Sequence, residues 1–116
     1  MIATEKIDTI FMVPTMFIRM LKLPEDVRSR YDLSSLEMAV HAAAPCPVAV
    51  KEQMIDWWGP VIWEYYGATE GGGTTATPED WLKYPGTVGS PWAISELKIT
   101  DDDGTIVAPG VPGTVW

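Results

Sequence analysis

Three short apolar runs, at residues 9–13, 36–40 and 61–65, divide the first 70 residues of the chain. Each is too short for an ordinary helix and has little of the polar alternation of a strand wetted on one face, which is how strands buried in a parallel sheet read. Two proline-opened segments with helical spacing lie between them. Pro14 opens the first, where its missing N–H costs nothing. Val13, Phe17, Met20 and Leu21 share one face, Arg19 and Lys22 fall near the C-terminal end where cations suit the dipole, and Pro24 stops the helix. Pro47 opens the second. Val50, Met54, Trp57 and Trp58 form its apolar stripe, Lys51 and Glu52 its wet side, and Gly59-Pro60 its stop. Residues 23–34 are polar and read as a loop. The order strand–helix–strand–helix–strand predicts an α/β fold, a partial parallel sheet with crossover helices over about residues 7–70.

The character changes after Glu70. Gly71-Gly72-Gly73-Thr74-Thr75 reads as a flexible loop, and helical periodicity is lost. Trp92 and Ile94 have one parity, Leu97 and Ile99 the other, which predicts a strand interrupted by a bulge. Asp101-Asp102-Asp103-Gly104 is a turn signal before Thr105-Ile106-Val107, and Thr114-Val115-Trp116 reads as a strand beginning. Short antiparallel strands are therefore predicted over about residues 85–116, with a division of the chain near residue 75. Both ends cut through predicted elements, which predicts a piece of a longer protein.

Composition excludes several classes. The net charge is −8, with only eight Lys and Arg, and these are scattered. A nucleic-acid-binding surface needs clustered basic residues, so no nucleic-acid partner is expected. The single Cys46 forms no internal disulfide. No run approaches the roughly 20 apolar residues of a membrane-spanning helix, and the first residues lack a signal peptide's basic start and apolar core. A soluble, cytoplasmic protein is predicted.

Two small-residue segments each follow a predicted strand: His41-Ala42-Ala43-Ala44-Pro45 and Tyr66-Gly67-Ala68-Thr69-Glu70. Ligands of parallel α/β sheets bind beyond the carboxyl ends of the strands, so the two segments are expected at one rim. Ala42, Ala43 and Ala44 leave their backbone open to a flat ring, and Tyr66 offers an aromatic face across the gap. Thr69 supplies a hydroxyl for a phosphate oxygen. Glu70 supplies the hard carboxylate that Mg²⁺ prefers, with waters and substrate phosphates completing its octahedron. His41, the one histidine, reads as pocket lining. Cys46 has no second histidine to activate it as a nucleophile.

These segments make the resemblance specific. The chain is similar to the adenylate-forming superfamily, of the acyl-CoA synthetase (fatty-acid–CoA ligase) type, and resembles an internal piece of the large N-terminal domain. Asp32-Leu33-Ser34-Ser35-Leu36 resembles the segment leading into the adenine-site strand, and residues 41–45 resemble the Gly-Ala-Ala-Pro adenine loop. Residues 66–70 resemble the family's Tyr-Gly-x-Thr-Glu motif. Pro85-Gly86-Thr87-Val88-Gly89-Ser90-Pro91, followed by Lys98-Ile99 and Asp103-Gly104, resembles the start of the β-barrel subdomain. The resemblance implies that residues 1–75 are part of the α/β subdomain carrying the adenylate-site motifs, and that 76–116 begin the β-barrel subdomain. It implies nucleotide-binding roles for Ala43, Ala44, Pro45, Tyr66, Gly67 and Thr69, catalytic roles for Thr69 and Glu70, and Mg²⁺ at Glu70. His41, Ala42, Tyr65 and Gly71 would border the acyl group.

The implied substrates are a carboxylic acid, ATP and CoA, with AMP and pyrophosphate as products. Ala42 stands where the family usually has Gly, which narrows the acyl side of the pocket by a methyl. The aromatic Tyr65 stands where many members have Gly and resembles the fatty-acid branch, which leans towards a fatty or other large apolar acid. No Gly/Ser/Thr-rich loop ending in Lys appears, and the ribose-binding Asp and the small C-terminal domain are expected beyond Trp116. The isolated chain is therefore expected to be inactive, and to self-associate through exposed strand edges. Two other readings stay open at this point. One is another adenylating enzyme, which passes the acyl-adenylate to a carrier protein or uses an amino acid; the other is a non-catalytic interaction module.

Overall fold

The computed structural model describes residues 1–116. Its elements in chain order are α1 (Ile2–Glu5), β1 (Thr9–Met12), α2 (Pro14–Leu21), α3 (Glu25–Arg28), β2 (Met38–His41), α4 (Val48–Trp58), β3 (Ile62–Gly67), β4 (Gly73–Ala76), α5 (Pro78–Lys83), β5 (Ser90–Pro91), β6 (Ile99–Thr100) and β7 (Thr114–Val115). The predicted strand–helix–strand–helix–strand order is present. Strands β1, β2 and β3 pair parallel, with Met12 opposite His41 and His41 opposite Glu64. Both crossover helices pack on one face. Phe17 and Met54 are fully buried against Met12, Ala39 and Ile62, with Ile10, Met20 and Leu21 packed around them. The opposite face is open: Phe11 is 59% exposed, and its ring lies 6.1 Å from that of Tyr65, which lies 6.3 Å from Trp92.

Several boundaries differ from the sequence reading. Pro47 caps α4 from outside, and the helix starts at Val48. The polar stretch after Pro24 contains the one-turn helix α3, with Glu25 and Asp26 in its first turn, where acids complement the dipole. Lys51 does not lie on the wet side of α4: it has 0% exposure. Residues 51, 54, 55 and 58 follow the spacing of one helical face, so position overrides charge.

The larger corrections concern residues 71–100. The expected flexible loop contains β4, which pairs antiparallel with β3, Tyr65 opposite Thr75 and Tyr66 opposite Thr74. Helix α5 follows, opened by a capping box in which the Thr77 hydroxyl accepts from the Asp80 N–H and the Asp80 carboxylate accepts from the Thr77 N–H. The bulged strand predicted from Trp92 to Ile99 is not formed. The chain turns there, Ser95 N–H donating to Trp92 C=O at 2.8 Å, and Ile94 stands 93% exposed. Short antiparallel strands do occur, but β4 and β5 extend the main sheet, giving five strands in the order β1-β2-β3-β4-β5, while β6 and β7 form a separate two-stranded ribbon. A barrel is not seen in this arrangement. The acidic turn is as predicted: Asp101 Oδ1 accepts from the N–H groups of Asp103 and Thr105. No helix is long and apolar enough to cross a membrane.

Candidate functional site

Strands β2 and β3 are parallel neighbours, so their carboxyl ends share one rim, and a cavity of about 360 Å³ opens there. Ala43, Ala44, Pro45 and Cys46 form one wall. Glu64, Tyr65, Tyr66 and Gly67 form another, and Gly86 and Val88, arriving from beyond α5, close the third. The small-residue wall is shaped by backbone as well as by side chains. Ala43 has φ +73°, a left-handed conformation that costs a residue with a Cβ about 1–2 kcal/mol. The chain bends at Ala43 and Ala44, directly after β2, and Ala44, Pro45 and Cys46 stay on the cavity. Tyr66 is 47% exposed, so its ring is free to meet a ligand. A slot between alanine backbone and a tyrosine face suits a flat ring with polar edges. The cleft between α3 and α4 is larger, about 430 Å³, but Trp57 is the one apolar side chain in its lining and no motif segment reaches it.

The residues singled out from the sequence divide into three groups. Ala43, Ala44, Pro45, Tyr65, Tyr66 and Gly67 lie on the cavity wall. His41 and Ala42 are buried behind it. Thr69, Glu70 and Gly71 lie in the turn joining β3 to β4, outside the cavity lining, where Gly71 N–H donates to Ala68 C=O at 3.2 Å. The Glu70 carboxylate is exposed and makes no hydrogen bond or ion pair with the protein, which leaves it free to meet a cation. No three His, Cys, Asp or Glu side chains cluster as a metal cage. A Mg²⁺ ion at Glu70 would thus depend on waters and phosphate oxygens for most of its ligands, the usual habit of that ion.

Behind the wall is a buried charged cluster that the sequence reading missed. Lys51 Nζ donates to Glu64 Oε2 at 2.9 Å and lies 5.0 Å over the ring of Trp81, itself 2% exposed. His41 Nε2 is 3.3 Å from the same oxygen, a close polar contact that is not aligned for a hydrogen bond. Burial resists ionisation of Glu64, but the contacts from His41 and Lys51 and the lysine's charge outweigh it, holding the carboxyl below its ordinary range. Burial draws Lys51 down, against the pull of Glu64. Burial first, and the Glu64 charge second, push the Cys46 thiol up to about 11, with Lys51 opposing. One signal was available for this cluster. Glu64 has the parity of the buried Ile62 within β3, so a carboxylate there needs a partner.

A family model described as AMP-binding enzyme matches residues 1–116. The chain belongs to this AMP-binding enzyme family. It is 33% identical over 104 residues to a long-chain-fatty-acid–CoA ligase of Bacillus subtilis, covering 88% of this chain and 18% of that protein. It is 40% identical over 97 residues to the 3-[(3aS,4S,7aS)-7a-methyl-1,5-dioxo-octahydro-1H-inden-4-yl]propanoyl:CoA ligase of Mycobacterium tuberculosis, covering 77% of this chain and 18% of that one. Among solved structures, the amide bond synthetase McbA of Marinactinospora thermotolerans superposes with a TM-score of 0.89 at 29% identity, covering 99% of this chain and 24% of McbA. The chain thus spans about a fifth of the length of these proteins.

Proposed function

We propose that this chain is part of an ATP-dependent acyl-CoA synthetase that activates a carboxylic acid, of fatty or other large apolar type, and transfers it to CoA. The observation that carries the reading is the meeting on one cavity of residues 43–46, just beyond the carboxyl end of β2, and 64–67, the carboxyl-terminal part of its parallel neighbour β3. In this reading the adenine ring lies between the Ala43–Pro45 backbone and Tyr66, and Thr69 donates a hydrogen bond to the α-phosphate. Glu70 would hold Mg²⁺, whose part is to offset phosphate charge. The acid's carboxylate oxygen attacks the α-phosphorus and the bond to pyrophosphate breaks, giving an acyl-adenylate. The CoA sulfur then bonds to the acyl carbon and AMP departs. The chain's contribution is to fix two anions in line and offset their repulsion.

The apolar acid is supported by Tyr65, whose exposed ring continues the row from Phe11 to Trp92, and by the names of the fatty-acid and polycyclic-acid CoA ligases above. McbA, an amide bond synthetase, supports an alternative in which the acyl-adenylate passes to another acceptor, such as a carrier protein. Residues 1–75 then belong to the α/β subdomain and 76–116 to a β-barrel subdomain of the longer protein, in a cytoplasmic setting. This chain by itself is inactive, since no Gly/Ser/Thr-rich loop ending in Lys is present to offset the phosphate charge. It self-associates, because only 17 of its 116 residues are buried and an aromatic face and the β1 edge stay open. Sizing chromatography yielding a stable monomer would remove that last point and leave the interaction-module reading without support.

The decisive test substitutes Thr69→Ala and Glu70→Ala in the longer protein. Each is expected to lower adenylate formation by about a hundredfold or more, the scale of losing a group that stabilises transition-state charge. Unchanged rates in both would sink the site assignment.

A further inference from the structure

We propose that Lys51 is a positioning residue of the nucleotide cavity, acting through Glu64; this rests on the adenylate-site reading above. Lys51 projects from the sheet-facing side of α4, and its ammonium is sealed between that helix, β3 and the ring of Trp81 in α5. It holds one oxygen of Glu64. The other, Oε1, has no hydrogen-bond partner in the protein and is not among the fully buried polar atoms, while Glu64 itself is part of the cavity wall. A carboxylate with 8% exposure and no counter-charge would take up a proton or swing towards water. Lys51 prevents both. It leaves Oε1 as a fixed, charged acceptor, unpartnered within the protein, on a residue of the cavity wall.

Stability alone does not account for this arrangement. A buried ion pair costs two desolvations, and apolar side chains of the same size usually pack as well or better. Position 51 lies on the same buried stripe of α4 as Met54, a core position. The charge is instead kept where its partner touches the one cavity that both motif segments reach. His41, from β2, approaches the same carboxylate. The cluster therefore ties the strand ends from which both motif segments depart.

The test uses Lys51→Met and the double variant Lys51→Met/Glu64→Leu in the longer enzyme. Folding is followed by urea denaturation, and KM for ATP and kcat by steady-state kinetics. Lys51→Met is expected to raise KM for ATP about tenfold, with kcat per folded enzyme within about twofold, as for loss of one charge-assisted contact that acts on binding. The double variant removes the unpaired charge, so it regains stability but keeps the raised KM. In the 116-residue chain, carboxyl-carbon NMR should show Glu64 titrating at higher pH in Lys51→Met. Recovery of KM together with stability in the double variant, or an unchanged KM in Lys51→Met, would reduce Lys51 to a packing role and overturn the proposal. Failure of the underlying reading looks different: Thr69→Ala and Glu70→Ala would then leave adenylation intact, whatever Lys51→Met does.

Discussion

Gly89 offers a clean test of how β5 is held to the sheet. Its φ is +87°, and a Cβ built there would overlap the Thr75 carbonyl and the Ala76 nitrogen, well inside the 3.0 Å that real Cβ atoms keep. Both obstacles are backbone of β4, so no side-chain rotation relieves them. Gly104 is the matched control, with φ +82° and nothing within 4 Å of its added Cβ. Gly104→Ala should therefore cost only the left-handed strain, about 1–2 kcal/mol. Gly89→Ala carries the same strain and must also push the segment leading into β5 away from β4. That loosens the hydrogen bonds from Thr74 Oγ1 to Val88 C=O, from Trp92 N–H to Gly73 C=O and from the Trp92 indole N–H to Thr75 Oγ1. At roughly 1 kcal/mol each, the excess over the control is about 3 kcal/mol. Urea denaturation followed by tryptophan fluorescence measures both variants against the parent chain. Equal costs for the two substitutions would refute the reasoning, because the steric contribution unique to Gly89 would then be absent.

Two further outcomes follow from the buried cluster. With its thiol pushed up to about 11, Cys46 should react with iodoacetamide at pH 8 roughly a hundredfold or more slowly than an unperturbed cysteine, and unfolding in urea should abolish the difference. Glu64 has a lowered folded-state pKa, so its stabilising contribution is present above the ordinary carboxylate value and is lost as pH falls through the lowered one. Glu64→Gln should lower stability near neutral pH and flatten the acid limb of a stability–pH curve; an unchanged acid limb would show that Glu64 is not the group titrating.

The parallel half of the sheet was legible because its signals are local. Apolar runs of strand length, prolines that open helices and Gly59 at the end of α4 each act within a few residues. Phe17 and Met54 could be assigned to the core from helical spacing alone. The hairpin β3–β4 was not legible, since Gly73-Thr74-Thr75-Ala76 has almost no apolar content and becomes a strand by pairing with β3 and lying under Trp92. Helix α5 did carry a readable signal, the Thr77-Pro78-Glu79-Asp80 capping box, which the loss of apolar periodicity obscured. Residues 92–97 misled because alternating parity counts only where a neighbouring strand exists to pair with, and no strand forms over that stretch; pairing begins at Ile99, against β7.

The sequence by itself therefore determined the strand–helix–strand–helix–strand order of the parallel half, and put residues 41–45 and 66–70 at the carboxyl ends of neighbouring strands, because backbone sterics and apolar periodicity act over short range. Only the tertiary structure decided how those segments meet. It turned Ala43 into a left-handed conformation, brought Gly86 and Val88 across to close the cavity, and sealed Lys51 and His41 against Glu64. Each depends on which strands pair and what then covers them. That is why a lysine that reads as solvated from its charge becomes, through its position on α4, a fully buried counter-ion to the cavity wall.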